Sequence, residues 1–301
     1  MNKIFLSLIM GLSLFGFDYN LKPVNVTDGV WCFFGKLEPP TNTNGGNMVN
    51  SCYIKTKDSF VVFDSGPTYD YAKQSYEVMK QIASLPVKAV ILGHEHDDHW
   101  LGNSFYKDKF DATLYGVKAI NDTYKKFSQT RMSNILSKDI TKETKVVPID
   151  KIISKTTTLK IGGLELELNY LSYKAHTKHD IFLYIKENKI IFASDLVMNG
   201  RITSNRDGSL FGQIKAIKAI EKKDYDILIA GHGKIYDKNA INESKRYFHL
   251  LNKRIPKAIG NGVDAADINK VVKLKEYKDK ALYDDLNAKN ISQAYTEIEF
   301  Q

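Results

Sequence analysis

Cysteine is scarce in this chain, two in 301 residues, and tryptophan (2), proline (7) and histidine (7) are scarce with it. Two cysteines cannot build a disulfide-dense scaffold or a four-thiolate metal module. Cys32 and Cys52 both stand in strand-like segments. In an oxidising compartment they pair if adjacent strands bring them within reach, and otherwise they remain two buried thiols. No Pro/Gly/Ser-rich stretch divides the chain, no low-complexity segment interrupts it, and no solenoid-type repeat recurs. Those absences exclude a string of linked modules. With 43% hydrophobic residues the chain can bury a substantial single core.

Charge of one sign is also missing as a block. The formal balance is +8, yet both signs are interspersed through Lys142-Glu143, Glu221-Lys222-Lys223-Asp224 and Lys275-Glu276-Tyr277-Lys278-Asp279-Lys280. Such runs are solvated helix faces and not a phosphate-tracking stripe, so no nucleic-acid partner is expected. A small-molecule substrate, anionic ones included, remains compatible with the basic balance. Oligomeric state is not legible.

Long apolar runs are absent except at the start. Lys3 precedes Ile4 to Phe17, uncharged and apolar, short for a membrane span and placed as a secretory signal is. Residues 1–17 are therefore read as a signal peptide and the product as periplasmic or secreted, with no stable membrane span after cleavage. A small-x-small cleavage site is missing, which leaves a retained anchor open.

Against this background the histidines are concentrated. Three of the seven fall in His94-Glu95-His96-Asp97-Asp98-His99, entered directly from the strand-like run Val87 to Leu92. A buried strand that ends in such a cluster delivers His94, His96, Asp98 and His99 to one edge of a sheet, where imidazole nitrogens and carboxylate oxygens suit zinc. More candidates follow apolar runs downstream. His176 comes after the alternating segment Leu164 to Tyr173, Asp195 after Lys189 to Ser194, and His232 after Tyr225 to Ala230, flanked by Gly231 and Gly233. The two glycines let the backbone approach whatever His232 binds.

The ordered set resembles the metallo-β-lactamase fold superfamily: His94-x-His96-x-Asp98-His99, then Ala175-His176-Thr177, Phe192-Ala193-Ser194-Asp195 and Gly231-His232-Gly233. Upstream, Phe60 to Gly66 looks like that family's strand ending in Asp-Ser-Gly, whose acid supports the metal loop. The resemblance spans about residues 22–240 and implies an αββα sandwich of two mixed β-sheets flanked by helices. It also implies that His94, His96 and His176 hold one zinc and Asp98, His99 and His232 a second, with Asp195 bridging. Ala175 and Ser194 stand where glycine is common in the family. Asp195 stands where the cysteine-containing subclass of β-lactamases places its thiolate, which argues against that subclass.

Features outside the ligands resemble one branch, the hydrolases associated with sulfur oxidation and quinoprotein relay systems. They are Gly29 to Glu38 with Asn44-Gly45-Gly46-Asn47, then Asp207 to Gly212, and the tail Asn290 to Glu299. The chemistry implied is hydrolysis by a metal-bridging hydroxide, with Asp98 as catalytic orienting residue, acting on an ester, thioester, lactone or amide-type small substrate. Zinc, about two per chain, is the expected metal, and iron or manganese fits the same ligands. Alternatives are a glyoxalase-II-like thioesterase, a β-lactam hydrolase lacking a zinc-bound cysteine, and a non-enzymatic periplasmic metal- or ligand-binding protein.

Periodicity predicts an α/β chain with strands over 29–34, 51–56, 59–64, 87–92, 112–116, 145–149, 158–161, 164–171, 181–186, 189–194 and 226–230. Helices are predicted over 69–84, 99–107, 116–137, 209–222, 240–255 and 278–289, with hairpin turns at Gly162-Gly163 and Glu187-Asn188. The hydrolase domain is placed at 18–260 and a C-terminal helical extension at 261–301. Glu95 and Asp97 are expected to face solvent or tune the loop, Trp100 and His249 to serve packing and an amphipathic helix, and Asn205 and Arg206 to approach substrate.

Overall fold

The structure, a computed structural model, describes residues 16–300. The expected signal segment lies outside the described residues but for Gly16 and Phe17. Seven strands form one sheet, in sequence order across it: β1 (Val24–Thr27), β2 (Val30–Phe33), β3 (Ser51–Lys55), β4 (Phe60–Phe63), β5 (Val87–Ile91), β6 (Thr113–Gly116) and β7 (Lys151–Ile152). Pairing is antiparallel from β1 to β4 and parallel from β4 to β7. A second sheet holds β8 (Thr157–Ile161), β9 (Leu164–Tyr170), β10 (Ile181–Ile185), β11 (Ile190–Met198) and β12 (Ile227–His232), antiparallel except where β12 lies parallel to β11. The first half of the chain adds helices α1 (Tyr69–Ile82), α2 (Asn103–Phe110), α3 (Lys118–Thr123), α4 (Arg131–Ile135) and α5 (Lys138–Thr141). The second half adds α6 (Leu210–Glu221), α7 (Asn242–Gly260), α8 (Ile268–Val271) and α9 (Tyr283–Glu299).

Alternation along the central strands explains the layering. On β10, Ile181, Leu183 and Ile185 belong to the core shared with the first sheet, whereas Phe182 and Tyr184 face the core under α6, α7 and α9. The same split places Ile190 and Phe192 of β11 in the first core and Ile191 and Ala193 in the second. Successive side chains of a strand point to opposite faces, so a strand apolar on both faces must be covered on both. Phe63 and Phe192 meet across the inter-sheet core with ring centroids 5.4 Å apart. Two mixed sheets flanked by helices result, as expected. Residues beyond 261 contribute Ile268, Leu274, Ile291 and Tyr295 to the second core, so the C-terminal extension packs as part of it.

Several local expectations are corrected. The helix predicted over 116–137 is broken, because Tyr124 is extended and the Thr130 hydroxyl accepts from Ser133 N while donating to Phe127 O. A hydroxyl that bonds its own backbone competes with the helix ladder. Residues 145–149 form no strand. There the Asn121 amide takes both backbone groups of Ile149, and sheet pairing begins two residues later at Lys151. Helix α9 runs ten residues past its predicted end at 289, because Asn290 is a buried mid-helix residue and not a cap. The Gly162-Gly163 hairpin is present, with φ of +51° and +90° and Ile161 opposite Leu164, as a two-residue primed turn requires. Among the described residues no helix is long and apolar enough to cross a membrane.

Cys32 and Cys52 are register partners on β2 and β3, with Cα atoms 4.1 Å apart, and form a disulfide. The bridge closes a separation of 20 residues in the sequence. Replacing both by serine is expected to lower unfolding free energy by about 2–4 kcal/mol, read from guanidinium titrations beside the wild type. An unchanged midpoint would show that the bridge contributes nothing to stability.

Candidate metal centre

The sequence places chemistry at strand ends, and the topology brings those ends together. Asp64 follows β4, the 94–99 loop follows β5, His176 lies in the loop between β9 and β10, Asp195 sits within β11, and His232 closes β12. All seven candidate ligands converge there. They form two groups, His94, His96, His176 and Asp195 in one and Asp98, His99 and His232 in the other, each with donor atoms within 4.8 Å of one another. All are buried except the half-buried His96.

Asp195 stands between the groups. Its Oδ2 lies 3.2 Å from His176 Nε2 and 3.7 Å from His94 Nε2, while Oδ1 lies 3.2 Å from His99 Nε2 and 3.3 Å from His232 Nε2. His96 Nδ1 is 3.0 Å from His176 Nε2, and Asp98 Oδ2 is 3.6 Å from both His99 Nε2 and His232 Nε2. Donors about 2.0–2.1 Å from a tetrahedral zinc stand about 3.3 Å from one another, so both groups have spacings that a divalent ion fits. His94 Nε2, His99 Nε2 and Asp195 Oδ1 are buried, and no hydrogen bond satisfies them. Buried polar atoms are rarely left this way without a ligand to take them.

The outward nitrogens of His94, His96, His99 and His232 have partners that fix the tautomers, while His176 Nδ1 has none. Among them a single carboxylate serves both groups: His99 Nδ1 donates to Asp64 Oδ2 at 2.8 Å, the Ser194 hydroxyl donates to the same oxygen at 2.8 Å, and His94 Nδ1 donates to Ser194 Oγ at 3.2 Å. Asp64 Oδ1 accepts from Gly93 N, holding the start of the ligand loop. His232 Nδ1 donates to Met48 O at 2.5 Å and His96 Nε2 to Asp207 Oδ2 at 3.1 Å. Every one of these bonds leaves the inward nitrogen with its lone pair free. His176 is held through its backbone, which donates to the buried Asp180 carboxylate at 3.0 Å.

Electrostatics favour a cation. Burial acts to lower the basicity of His99, yet Asp195, Asp64 and Asp98 outweigh it and raise its pKa well above the usual imidazole range. His94, where burial dominates and His99 adds to it, is pushed the other way and stays neutral. Burial alone would raise the carboxyl of Asp195, but His232, His99, His176 and His94 hold it ionised, and Arg131, His99 and His232 do the same for Asp98.

A sequence model of the metallo-beta-lactamase superfamily matches residues 44–232. The chain belongs to that superfamily. Among its relatives, the metallo-beta-lactamase IND-1 of Chryseobacterium indologenes is 26% identical over 179 residues, covering 56% of this chain and 67% of that protein. A metallo-beta-lactamase from Pontibacter korlensis superposes with a TM-score of 0.59 at 19% identity, over 76% of this chain and 99% of its own. The sec-alkylsulfatase Pisa1 from Pseudomonas sp. gives 0.66 at 17% identity, over 92% of this chain, which spans half the alkylsulfatase's length. At these identities the structural likeness shows a shared fold. The protein is a hydrolase of the metallo-beta-lactamase superfamily whose His/Asp groups could bind the divalent metals that superfamily uses.

Other expectations around the site are met in part and revised in part. Asp97 is buried and does not face solvent: it accepts from Met132 N at 2.9 Å and pairs with Arg131 at 3.2 Å, tying the ligand loop to α4. Arg131, absent from the sequence reading, also reaches Asp98 Oδ1 at 2.7 Å. Trp100 packs on Tyr124 and donates to Glu95 O, and His249 is exposed on α7. Asn205 is fully buried and Arg206 pairs with Asp207 at the surface, so Arg206 holds a neighbouring carboxylate. Asn50, also missed, donates to Ala230 O and Gly233 O on either side of His232.

Gly231 is where a side chain cannot be accommodated. A Cβ there would lie 2.0 Å from Asp195 Oδ1. Gly231→Ala is expected to displace Asp195 and leave the purified protein with less than half the wild-type metal by mass spectrometry. Wild-type metal content in that variant would show that Asp195 is not held where the structure puts it.

Proposed function

We propose that this protein is an exported dinuclear zinc hydrolase of small substrates carrying an ester, thioester, lactone or amide-type bond. The observation that carries the reading is the division of the Asp195 carboxylate, one oxygen facing each group of imidazoles. In this assignment His94, His96 and His176 would hold one ion and Asp98, His99 and His232 the other, with the Asp195 carboxylate shared between them. Zinc bound there would polarise the scissile carbonyl and lower the pKa of water toward about 7.

The chain's own residues supply orientation. Arg131 occupies Asp98 Oδ1 and leaves Oδ2 turned toward His99 and His232. Held ionised by Arg131 and the two imidazoles against the effect of burial, Asp98 accepts a hydrogen bond from the attacking water and orients it, and does not act as a proton store. Asp64 and Ser194 keep His99 and His94 in the tautomers that leave their inward nitrogens free. Export is supported by the apolar segment after Lys3 and by the Cys32–Cys52 bridge, since such bridges persist in oxidising compartments.

β-Lactam hydrolysis is the second reading, favoured by the likeness to IND-1. Both cysteines are consumed in the β2–β3 bridge, so such an activity would run without a thiolate at the centre. Zinc-loaded protein assayed against thioesters, lactones, aryl esters, β-lactams, sulfate esters and phosphodiesters separates the readings. Turnover of an acyl substrate is expected, with Asp98→Ala at least about a hundredfold slower. Tight ligand binding with every bond untouched would contradict the proposal. Metal analysis is expected to find about two zinc per chain, falling in Asp195→Ala and His232→Ala. One ion or none, unchanged by either substitution, would contradict the ligand assignment.

A further inference from the structure

Beyond residue 232, where the superfamily match ends, the chain returns to the site through α9. The segment 203–210 crosses the rim of the metal centre, and α9 grips it repeatedly. Asn290, buried, accepts from Asn205 N at 3.0 Å and donates to Thr203 O at 2.7 Å. Gln293 donates to Gly208 O at 3.1 Å. Glu297 accepts from Leu210 N at 2.6 Å and from the Ser209 hydroxyl, the same hydroxyl that caps α6 by accepting from Gly212 N. Asp207 lies in the middle of this held stretch, and its Oδ2 accepts a hydrogen bond from the outward Nε2 of His96.

His96 differs from the other candidate ligands in needing this support. It is the half-buried one, on an exposed rim, whereas His94, His99 and His232 are anchored to Ser194, Asp64 and Met48 within the two sheets and their adjoining loops. An outer partner of a metal-binding imidazole sets its tautomer and orientation. We infer that α9 is a working part of the metal centre, with Asn290 and Glu297 acting as positioning residues that hold Asp207 against His96. The inference rests on the reading of His96 as a metal ligand. The geometry runs in one line, from α9 to the 203–210 backbone, to Asp207, to His96, and so to the group containing His176 and Asp195.

Stepwise cobalt(II) titration of the full-length protein, followed by visible absorption against a competing chelator, tests it with no substrate required. Glu297→Gln and Asn290→Ala are each expected to weaken one cobalt-binding step about tenfold and leave the other unchanged, as Asp207→Asn does. The double variant Asp207→Asn/Glu297→Gln is expected to be no weaker than Asp207→Asn alone, because both act through one contact. Glu297 is half-buried in the closing turns of α9, so its variant carries the test even if Asn290→Ala fails to fold. Wild-type affinities in Glu297→Gln, equal weakening of both steps alongside a lowered melting temperature, or additive losses in the double variant would each overturn the inference. A wild type that binds no cobalt overturns the metal-centre reading itself, and this inference with it.

Discussion

Three carboxylates around one imidazole are costly to bury, and here Asp64, Asp195 and Asp98 approach His99 at 2.8, 3.2 and 3.6 Å with all four side chains almost fully enclosed. Each ion taken out of water carries a penalty of several kcal/mol that only close counter-charge offsets. The guanidinium of Arg131 on Asp98 offsets part of it. The inward nitrogens of His94 and His99 and Oδ1 of Asp195 still lack hydrogen bonds. A divalent cation in each group would satisfy these atoms and balance the charge, which is why the site reads as a candidate metal centre and not as a structural ion-pair network.

The fold answers that constraint by supplying donors from rigid elements. β4, β5, β11 and β12 deliver Asp64, the 94–99 loop, Asp195 and His232, and two backbone contacts lock the sheets together at the same place: Ile181 N donates to Gly93 O at 2.7 Å and Asn50 N to Gly231 O at 2.8 Å. β4, β5 and β11 are fixed by ladders on either side and β12 by β11 on one side, so donors mounted on them keep their spacing better than donors on free loops. Two candidate ligands carried on loops, His176 and half-buried His96, are held by carboxylates of their own, Asp180 and Asp207.

Much of this was legible in the sequence because the signals are local. Strand-like runs ending in His or Asp identified all seven residues that the structure gathers, and alternation along 164–171 with the apolar runs 181–186 and 189–194 gave β9, β10 and most of β11. Asp64 was readable as support for the metal loop from the motif it ends. What the sequence concealed depends on contacts between distant positions. Ser194 looked like a departure from glycine, yet in the left-handed backbone region, with φ of +46°, its hydroxyl joins Asp64 to His94. Arg131 reaches Asp98 from a helix broken by its own threonine hydroxyl, Asn50 reaches the His232 turn across 180 residues, and Asn290 reaches Asn205 across 85. Of the two roles read for Asp97, facing solvent or tuning the loop, the structure shows the second, through Met132 N and Arg131, partners that lie 35 and 34 residues away.

In the proposed assignment Asp195 separates two metal sites. Zinc-soaked crystals measured at the zinc absorption edge address it directly. Two anomalous peaks are expected, one among His94, His96 and His176 and one among Asp98, His99 and His232, with the Asp195 carboxylate between them. A single peak, or peaks away from these residues at saturating zinc, would contradict it.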